Sequence, residues 1–437
     1  MAGSGMSISD MFKQFIGNLE IDNKRQIADQ YGKITKALNL KYRNSESETA
    51  NTLQVGSYGR YTAIKNISDL DMIYMLPSNQ WEKFKDDKQS ALLQEIKNTL
   101  KDIGHFSRTE IWGDGQVVVI SFTSHDIEVL PAFEQSDGSF KYPDTNNGGS
   151  WPITKPRLEI KAVSDMDKAK NGNLRPLCKM IRAWKNKHGV AMSGMLIDTL
   201  AYNFLNSTTE YDDKSYTYYD WMVRDFFLYA SSQPNQDYYL APGSRQHVKV
   251  KKKFQKKAKK AYDLSLEAIA AENLQSVNTK WKKIFGRPFP SSVSTVAQDS
   301  VTKAAQSWKN TEEFIEDKYP VDIRYNLEID CEITQNGFRE NTLANMLLRG
   351  IRLSPNKQLV FKVEKIDVAE PYEVFWKVLN VGEMARQRDQ IRGQIIRDMG
   401  KQQKDESTLF RGEHIVECYV VKNDVVVARD TIEVPIQ

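Results

Sequence analysis

Two aspartates and a turn of small residues carry the clearest chemistry in this 437-residue chain. Ser57 of Gly56-Ser57-Tyr58-Gly59-Arg60 stands twelve residues before Asp69, and Asp69-Leu70-Asp71 leads into the apolar run Met72-Ile73-Tyr74-Met75-Leu76. On a strand, side chains alternate faces, so Asp69 and Asp71 point the same way, roughly 7 Å apart along the chain. Carboxylates aimed together repel unless a divalent cation sits between them. Gly56 and Ser57 offer close approach, backbone N–H groups and a hydroxyl, which suits phosphates. A phosphate cradle beside metal carboxylates points to phosphoryl or nucleotidyl transfer. A lone Asp-x-Asp is more often a turn or cap. Here it has Gly-Ser upstream, an apolar strand behind it, and a second acidic strand downstream, His125-Asp126-Ile127-Glu128-Val129-Leu130-Pro131-Ala132-Phe133. Alternation on that strand puts Asp126 and Glu128 on one face. One should complete the metal site and the other stand beside it or face solvent.

The surrounding elements must position these groups. Apolar spacing predicts helix over 7–43 with a break near 18–23, a strand 52–55 running into Gly56, and helix over 81–103. A hairpin is expected from strands 107–111 and 117–122 around Gly113-Asp114-Gly115. Residues 134–172 read as a turn-rich loop in which Trp151 and Arg157 would either fold over a bound base or pack locally. A helix over 173–187 buries Leu177, Ile181 and Trp184 and carries Lys179, Arg182 and Lys185; Gly189 ends it, and Ser193 caps the next helix, 195–205. Lys179 or Arg182 is a candidate phosphate ligand, although cationic helical residues are more often simply solvated. Residues 211–285 are expected to continue helical.

Composition limits the function classes. With 40% hydrophobic residues the chain can fill two or three domains. Sixty-one basic against 57 acidic residues leave a net charge of +4, which excludes a global polyanion-binding role. The one dense basic run, Lys249–Lys260, holds eight lysines in twelve residues. It could bind a nucleic-acid activator, but a solvated helix start is the commoner meaning. Three well-separated cysteines, Cys178, Cys331 and Cys418, argue against a disulfide scaffold or zinc site and fit a reducing cytoplasm. No apolar run approaches a membrane span of about 18 residues. Residues 1–5 read as a cloning leader and 291–309, rich in Ser, Thr and Ala, as a linker. After about residue 310 short alternating segments (321–333, 359–368, 372–379, 413–421 and 424–435) predict an all-β sandwich with no metal-spaced cluster, suited to sensing or binding.

Assembled, these residues resemble the CD-NTase family, the bacterial relatives of cyclic GMP–AMP synthase and oligoadenylate synthase. The resemblance rests on Gly56-Ser57 followed by Asp69-x-Asp71, on Glu128-Val129-Leu130-Pro131-Ala132-Phe133, on Arg182-Ala183-Trp184 with Ser193, and on Trp281 through Phe289-Pro290. It implies an α+β fold: a polymerase-β-like nucleotidyltransferase core over 6–172, with a mixed sheet, and a helical lobe of the same catalytic unit over 173–290. It favours Glu128 over Asp126 as third carboxylate, and Mg²⁺ or Mn²⁺ as cofactor. Lys179, Arg182 and Ser193 would contact the donor triphosphate, where the family usually places Lys. Residues 310–437 are similar to the AGS-C sensor domain, through Val374–Asn380, Arg392–Ile395 and Gly412–Tyr419. The resemblance implies a cyclic di- or trinucleotide made from NTPs, ATP among them, for anti-phage signalling through a downstream effector, with a regulatory ligand or partner on the C-terminal domain. The same core would also serve nucleotidyl transfer to an RNA end or protein hydroxyl, or a ligand sensor with poised transferase activity.

Overall fold

The computed structural model describes residues 6–102, 106, 109–271, 274–291, 312–335, 338–388, 390–408 and 411–437. The expected leader 1–5 and all of the expected linker except residue 291 lie outside the described residues. The chain divides into two compact units, one of Ser7–Ala183 with Ser193–Val250, the other gathering Trp184–Met192 and Lys251–Gln437.

The first unit is built on a mixed sheet. Strands β1 (Thr52–Gln54), β2 (Asp69–Met75), β3 (Glu110–Asp114), β4 (Val117–Ser121) and β5 (Asp126–Glu134) stand in the order β1-β2-β5-β4-β3. Only β2 and β5 run parallel among these neighbours. Alternation sorts β2 cleanly. Leu70, Met72 and Tyr74 are fully buried against helices Lys24–Arg43 and Gln89–Lys101 through Ile27, Ile34, Leu38, Leu92, Ile96 and Leu100. The opposite face carries Asp69 and Asp71, then Ile73, which joins Ala132 and Phe140 in a small second cluster. Ser7 opens the first helix, Ile8–Asn18, with a capping box to Asp10.

Three local expectations are corrected. The β3–β4 hairpin turns at Gly115-Gln116, where Gly115 holds φ +56°, and Gly113 and Asp114 stay in the strand. Residues 156–169 form a helix rather than a loop. Its signals were Pro156 at the first turn and Val163 and Met166 on a buried face, masked by the Gly- and Asn-rich turns before it. Residues 211–285 are interrupted by a hairpin, Tyr238–Leu240 with His247–Lys249, where alternate residues are buried. Trp151 packs locally: its indole N–H donates to the Lys85 carbonyl at 3.1 Å and its ring meets Trp81 at 5.0 Å.

The second unit holds two four-stranded antiparallel sheets. Leu327, Cys331, Ile333 and Phe361 of one and Trp376, Cys418, Val420 and Val434 of the other fill one core. Asn423 and Asp424, at φ +50° and +57°, make the two-residue turn joining the last two strands. Lys185 pairs with Asp322 at 2.6 Å, and the Asn186 side chain donates to the Val321 carbonyl at 2.8 Å. These ties go with the grouping of 184–192 in this unit. Four of the eight lysines of the run have carboxylate partners: Lys252 meets Glu328 at 2.7 Å, Lys260 meets Glu433 at 3.5 Å, Lys257 meets Asp430 at 3.9 Å, and Lys259 pairs with Asp263.

His188 gives this unit an acid sensitivity. Burial, with Lys187 and Lys257 nearby, pushes its imidazole down to about 3 from an ordinary 6.5. Its Nε2–H donates to the Ile284 carbonyl at 3.0 Å. The unfolded chain takes up a proton below pH 6.5 that the folded chain refuses, so stability falls as pH drops from 6.5 toward 3. The loss should reach about 2 kcal/mol by pH 5. Urea unfolding at pH 7 and 5 checks it, since His188→Gln keeps an N–H donor without the titration. A variant as pH-sensitive as the wild type would refute the assignment.

Candidate active site

Parallel pairing of β2 and β5 sets Asp69 opposite Asp126 and Asp71 opposite Glu128. In-register neighbours share a face, so one pairing gathers four carboxylates on the side away from the main core. Asp69, Asp71 and Glu128, all half-buried, each bring one carboxylate oxygen within 4.8 Å of the others. Among the described residues this is the group able to hold a metal ion. Three hard oxygen donors at this spacing fit a divalent cation and are poorly suited to soft metals. Asp126 stands beside them with Oδ1 accepting the Ser121 hydroxyl at 2.7 Å, and its backbone N–H donates to the Ser68 carbonyl at 2.8 Å. The Ser68 hydroxyl in turn donates to Asp69 Oδ1 at 2.7 Å.

The Gly-Ser turn presses on this cluster. Gly56 starts a single helical turn, Gly56–Gly59, at φ +61°, and a Cβ there would lie 1.7 Å from Asp71 Oδ2. Glycine is required by both conformation and space. At Gly59 a Cβ would fall 2.3 Å from the Gln54 carbonyl oxygen. The Asp71 carbonyl accepts from the Val55 N–H at 3.0 Å and the buried Tyr31 hydroxyl at 2.8 Å, so β2 and the turn are tied at the strand's first residues.

The three residues proposed for the triphosphate have different roles in the structure. Lys179 is half-buried and ion-paired with Glu20. Ser193 caps the helix Gly194–Asn206, its hydroxyl oxygen accepting from the Leu196 N–H at 3.2 Å. Arg182 is 6% exposed and donates to Asp198 Oδ1 at 2.6 Å and to the Gly194 carbonyl at 3.0 Å. Of the two candidate cations, Lys179 is thus the more accessible. Sequence reasoning passed over Arg182's partner Asp198, whose carboxylate Arg60 and Thr62 also meet. The available signal was one carboxylate inside an otherwise apolar helix, since a buried charge demands counter-charges.

Residues 6–167, which contain the sheet and the carboxylates, match the Second Messenger Oligonucleotide or Dinucleotide Synthetase domain, and residues 309–437 match the Adenylyl/Guanylyl and SMODS C-terminal sensor domain. A cyclic AMP-AMP-AMP synthase of Acinetobacter is 23% identical over 285 residues, covering 61% of this chain and 80% of that protein. A probable cyclic nucleotide synthase of Bacillus cereus is 20% identical over 273 residues, covering 54% and 81%. Among solved structures, the CdnC:HORMA-deltaN complex of E. coli MS115-1 aligns with TM-score 0.50 at 14% identity over 64% of this chain and 97% of that one, a likeness of fold. These two matches assign residues 6–167 to the second messenger oligonucleotide or dinucleotide synthetase domain family, in line with the resemblance to the CD-NTases, and residues 309–437 to the sensor domain that accompanies it.

Proposed function

We propose that this chain is a Mg²⁺-dependent nucleotidyltransferase that joins NTPs, ATP among them, into a cyclic di- or trinucleotide. The observation that carries this reading is the cluster of Asp69, Asp71 and Glu128 on paired strands, pressed against the Gly56-Ser57 turn. Bound to these carboxylates, divalent cations supply Lewis acidity to a ribose hydroxyl and neutralise charge at the donor α-phosphate and pyrophosphate. The ribose oxygen bonds to the α-phosphorus, the bond to pyrophosphate breaks, and the hydroxyl proton leaves to solvent. Ser57, Lys179 and Ser193 are the groups assigned to the triphosphate; Arg182 is assigned to holding the helix that bears Lys179. Lys179 would exchange Glu20 for phosphate when the nucleotide enters. Repetition of the step lengthens the product, and the last such bond, formed within the linear product with loss of its own pyrophosphate, closes the ring.

We further assign the product to anti-phage signalling through an effector that reads it, and the C-terminal domain to control by a ligand or partner. The second assignment is supported by the sensor-domain match, and the first rests on the resemblance to the CD-NTases and the match of residues 6–167. The test is incubation of the full chain with four NTPs and Mg²⁺ or Mn²⁺, then phosphatase treatment and mass spectrometry. A phosphatase-resistant cyclic species is expected and identifies the bases. Product that forms only with added RNA or a protein hydroxyl would overturn the cyclic assignment in favour of transfer to that acceptor.

A further inference from the structure

One buried carboxylate outside the metal cluster ties together the elements assigned to the triphosphate. Asp198 has no solvent exposure and sits in the helix capped by Ser193. It receives Arg60 Nε–H at 2.8 Å and the Thr62 hydroxyl at 2.9 Å on Oδ2, and Arg182 at 2.6 Å on Oδ1. Each partner belongs to a different part of the site. Arg60 directly follows the Gly56–Gly59 turn, and Thr62, also fully buried, donates its N–H to the Ser57 carbonyl at 2.9 Å. Arg182 stands three residues, nearly one helical turn, after Lys179, and its second arm donates to the Gly194 carbonyl, next to Ser193. Glu159 lies 4.0 Å from Arg60 and accepts the Ser244 hydroxyl at 2.8 Å. Burial would push the Asp198 carboxyl up, but Arg182 and Arg60 outweigh it and hold it below the ordinary range, so it stays an anion at neutral pH.

We infer that Asp198 is the positioning residue of the donor site: its carboxylate sets the distances between Ser57, Lys179 and Ser193, so that three groups from three elements meet one triphosphate. The inference rests on the transferase reading above and adds a specific dependence to it. A core of this size needs no buried ion cluster for stability, since apolar groups of equal volume serve as well or better. A three-way clamp whose arms end beside the three predicted ligands is what a precise phosphate site requires, because small misplacements are costly there.

The test uses the full chain and measures affinity for a non-hydrolysable ATP analogue with Mg²⁺, alongside KM and kcat. Thr62→Val removes only the hydroxyl that links the Ser57 turn to Asp198 and leaves both arginines paired. It should weaken analogue binding and raise the donor KM by roughly tenfold, with a much smaller change in kcat. Thr62→Ser should restore both. Asp198→Asn should lose more, by roughly 10²-fold, with the metal-induced shift in melting temperature intact because the cation carboxylates are untouched. Should Asp198→Asn fail to fold, the Thr62 pair decides. Wild-type affinity in folded Thr62→Val would overturn the clamp. A wild type that binds no triphosphate would overturn the transferase reading itself, and the clamp with it.

Discussion

Asp71→Asn leaves a folded protein that joins nucleotides at least roughly 10³-fold more slowly, a loss of about 4 kcal/mol of transition-state stabilisation. Asp69→Asn and Glu128→Gln behave alike, because each carboxylate contributes one of three oxygens gathered within 4.8 Å. The sign of the stability change separates this from structural damage. Without metal, three carboxylates so close repel, so neutralising one should hold or raise the melting temperature. With Mg²⁺ or Mn²⁺, the wild type should gain stability and the variants should not. Asp126→Asn serves as the internal comparison. Its Oδ1 is engaged by the Ser121 hydroxyl, an arrangement a side-chain amide oxygen preserves. A rate within about tenfold of wild type is therefore expected, since an exchange that keeps one neutral hydrogen bond costs only about 1 kcal/mol. Initial rates and melting curves over a metal titration check all four. A triad variant that keeps wild-type turnover, or an Asp126→Asn as inactive as Glu128→Gln, would refute the assignment of carboxylates.

Gly56→Ala is the second large effect, and it acts without removing any reacting group. The new methyl would stand 1.7 Å from Asp71 Oδ2, and the residue must hold φ +61°. The conformation alone costs about 1–2 kcal/mol. The contact cannot be relieved by a flexible side-chain end swinging into solvent, because Asp71 sits on a paired strand, its carbonyl tied to Val55 and Tyr31. Either the turn retreats, taking Ser57 with it, or the carboxylate leaves the cluster. A displacement of about 1 Å in a reacting constellation is worth roughly 10²-fold in rate. Gly17→Ala is the matched control, since nothing lies within 4 Å of its Cβ position inside a helix. It should be neutral or slightly stabilising. Equal activity in the two alanine variants would remove the close approach from the mechanism.

The local chemistry was legible along the chain because it depends on short spacing. Two carboxylates two residues apart on a strand must share a face, and an apolar alternation such as Leu70, Met72 and Tyr74 must have a core behind it. A turn of Gly-Ser-Tyr-Gly advertises a position closed to side chains. A cap was equally visible: Ser193 opens the helix Gly194–Asn206 where the residue order says it should. Five C-terminal strands follow from alternation in the same way, whereas Phe338–Thr342, Arg392–Arg397 and Gln403–Ser407 were not anticipated.

Long-range pairing was decided only in three dimensions. Asp126 and Glu128 are equivalent by alternation, and the parallel register of β2 on β5 brings Glu128, opposite Asp71, into the cluster while Ser121 engages Asp126. Arg182 and Lys179 look alike as cations on one helix. Asp198, sixteen residues further on, draws Arg182 into the interior, and Glu20, far earlier in the chain, pairs with Lys179 near the surface. In the lysine run, Lys252, Lys257 and Lys260 find Glu328, Asp430 and Glu433 on strands more than sixty residues away, partners that no local pattern announces. Charge and hydrogen bonding act over a few ångströms of space, whatever the separation along the chain. Sequence periodicity therefore specified which face each residue occupies, and tertiary folding specified which charge it meets there.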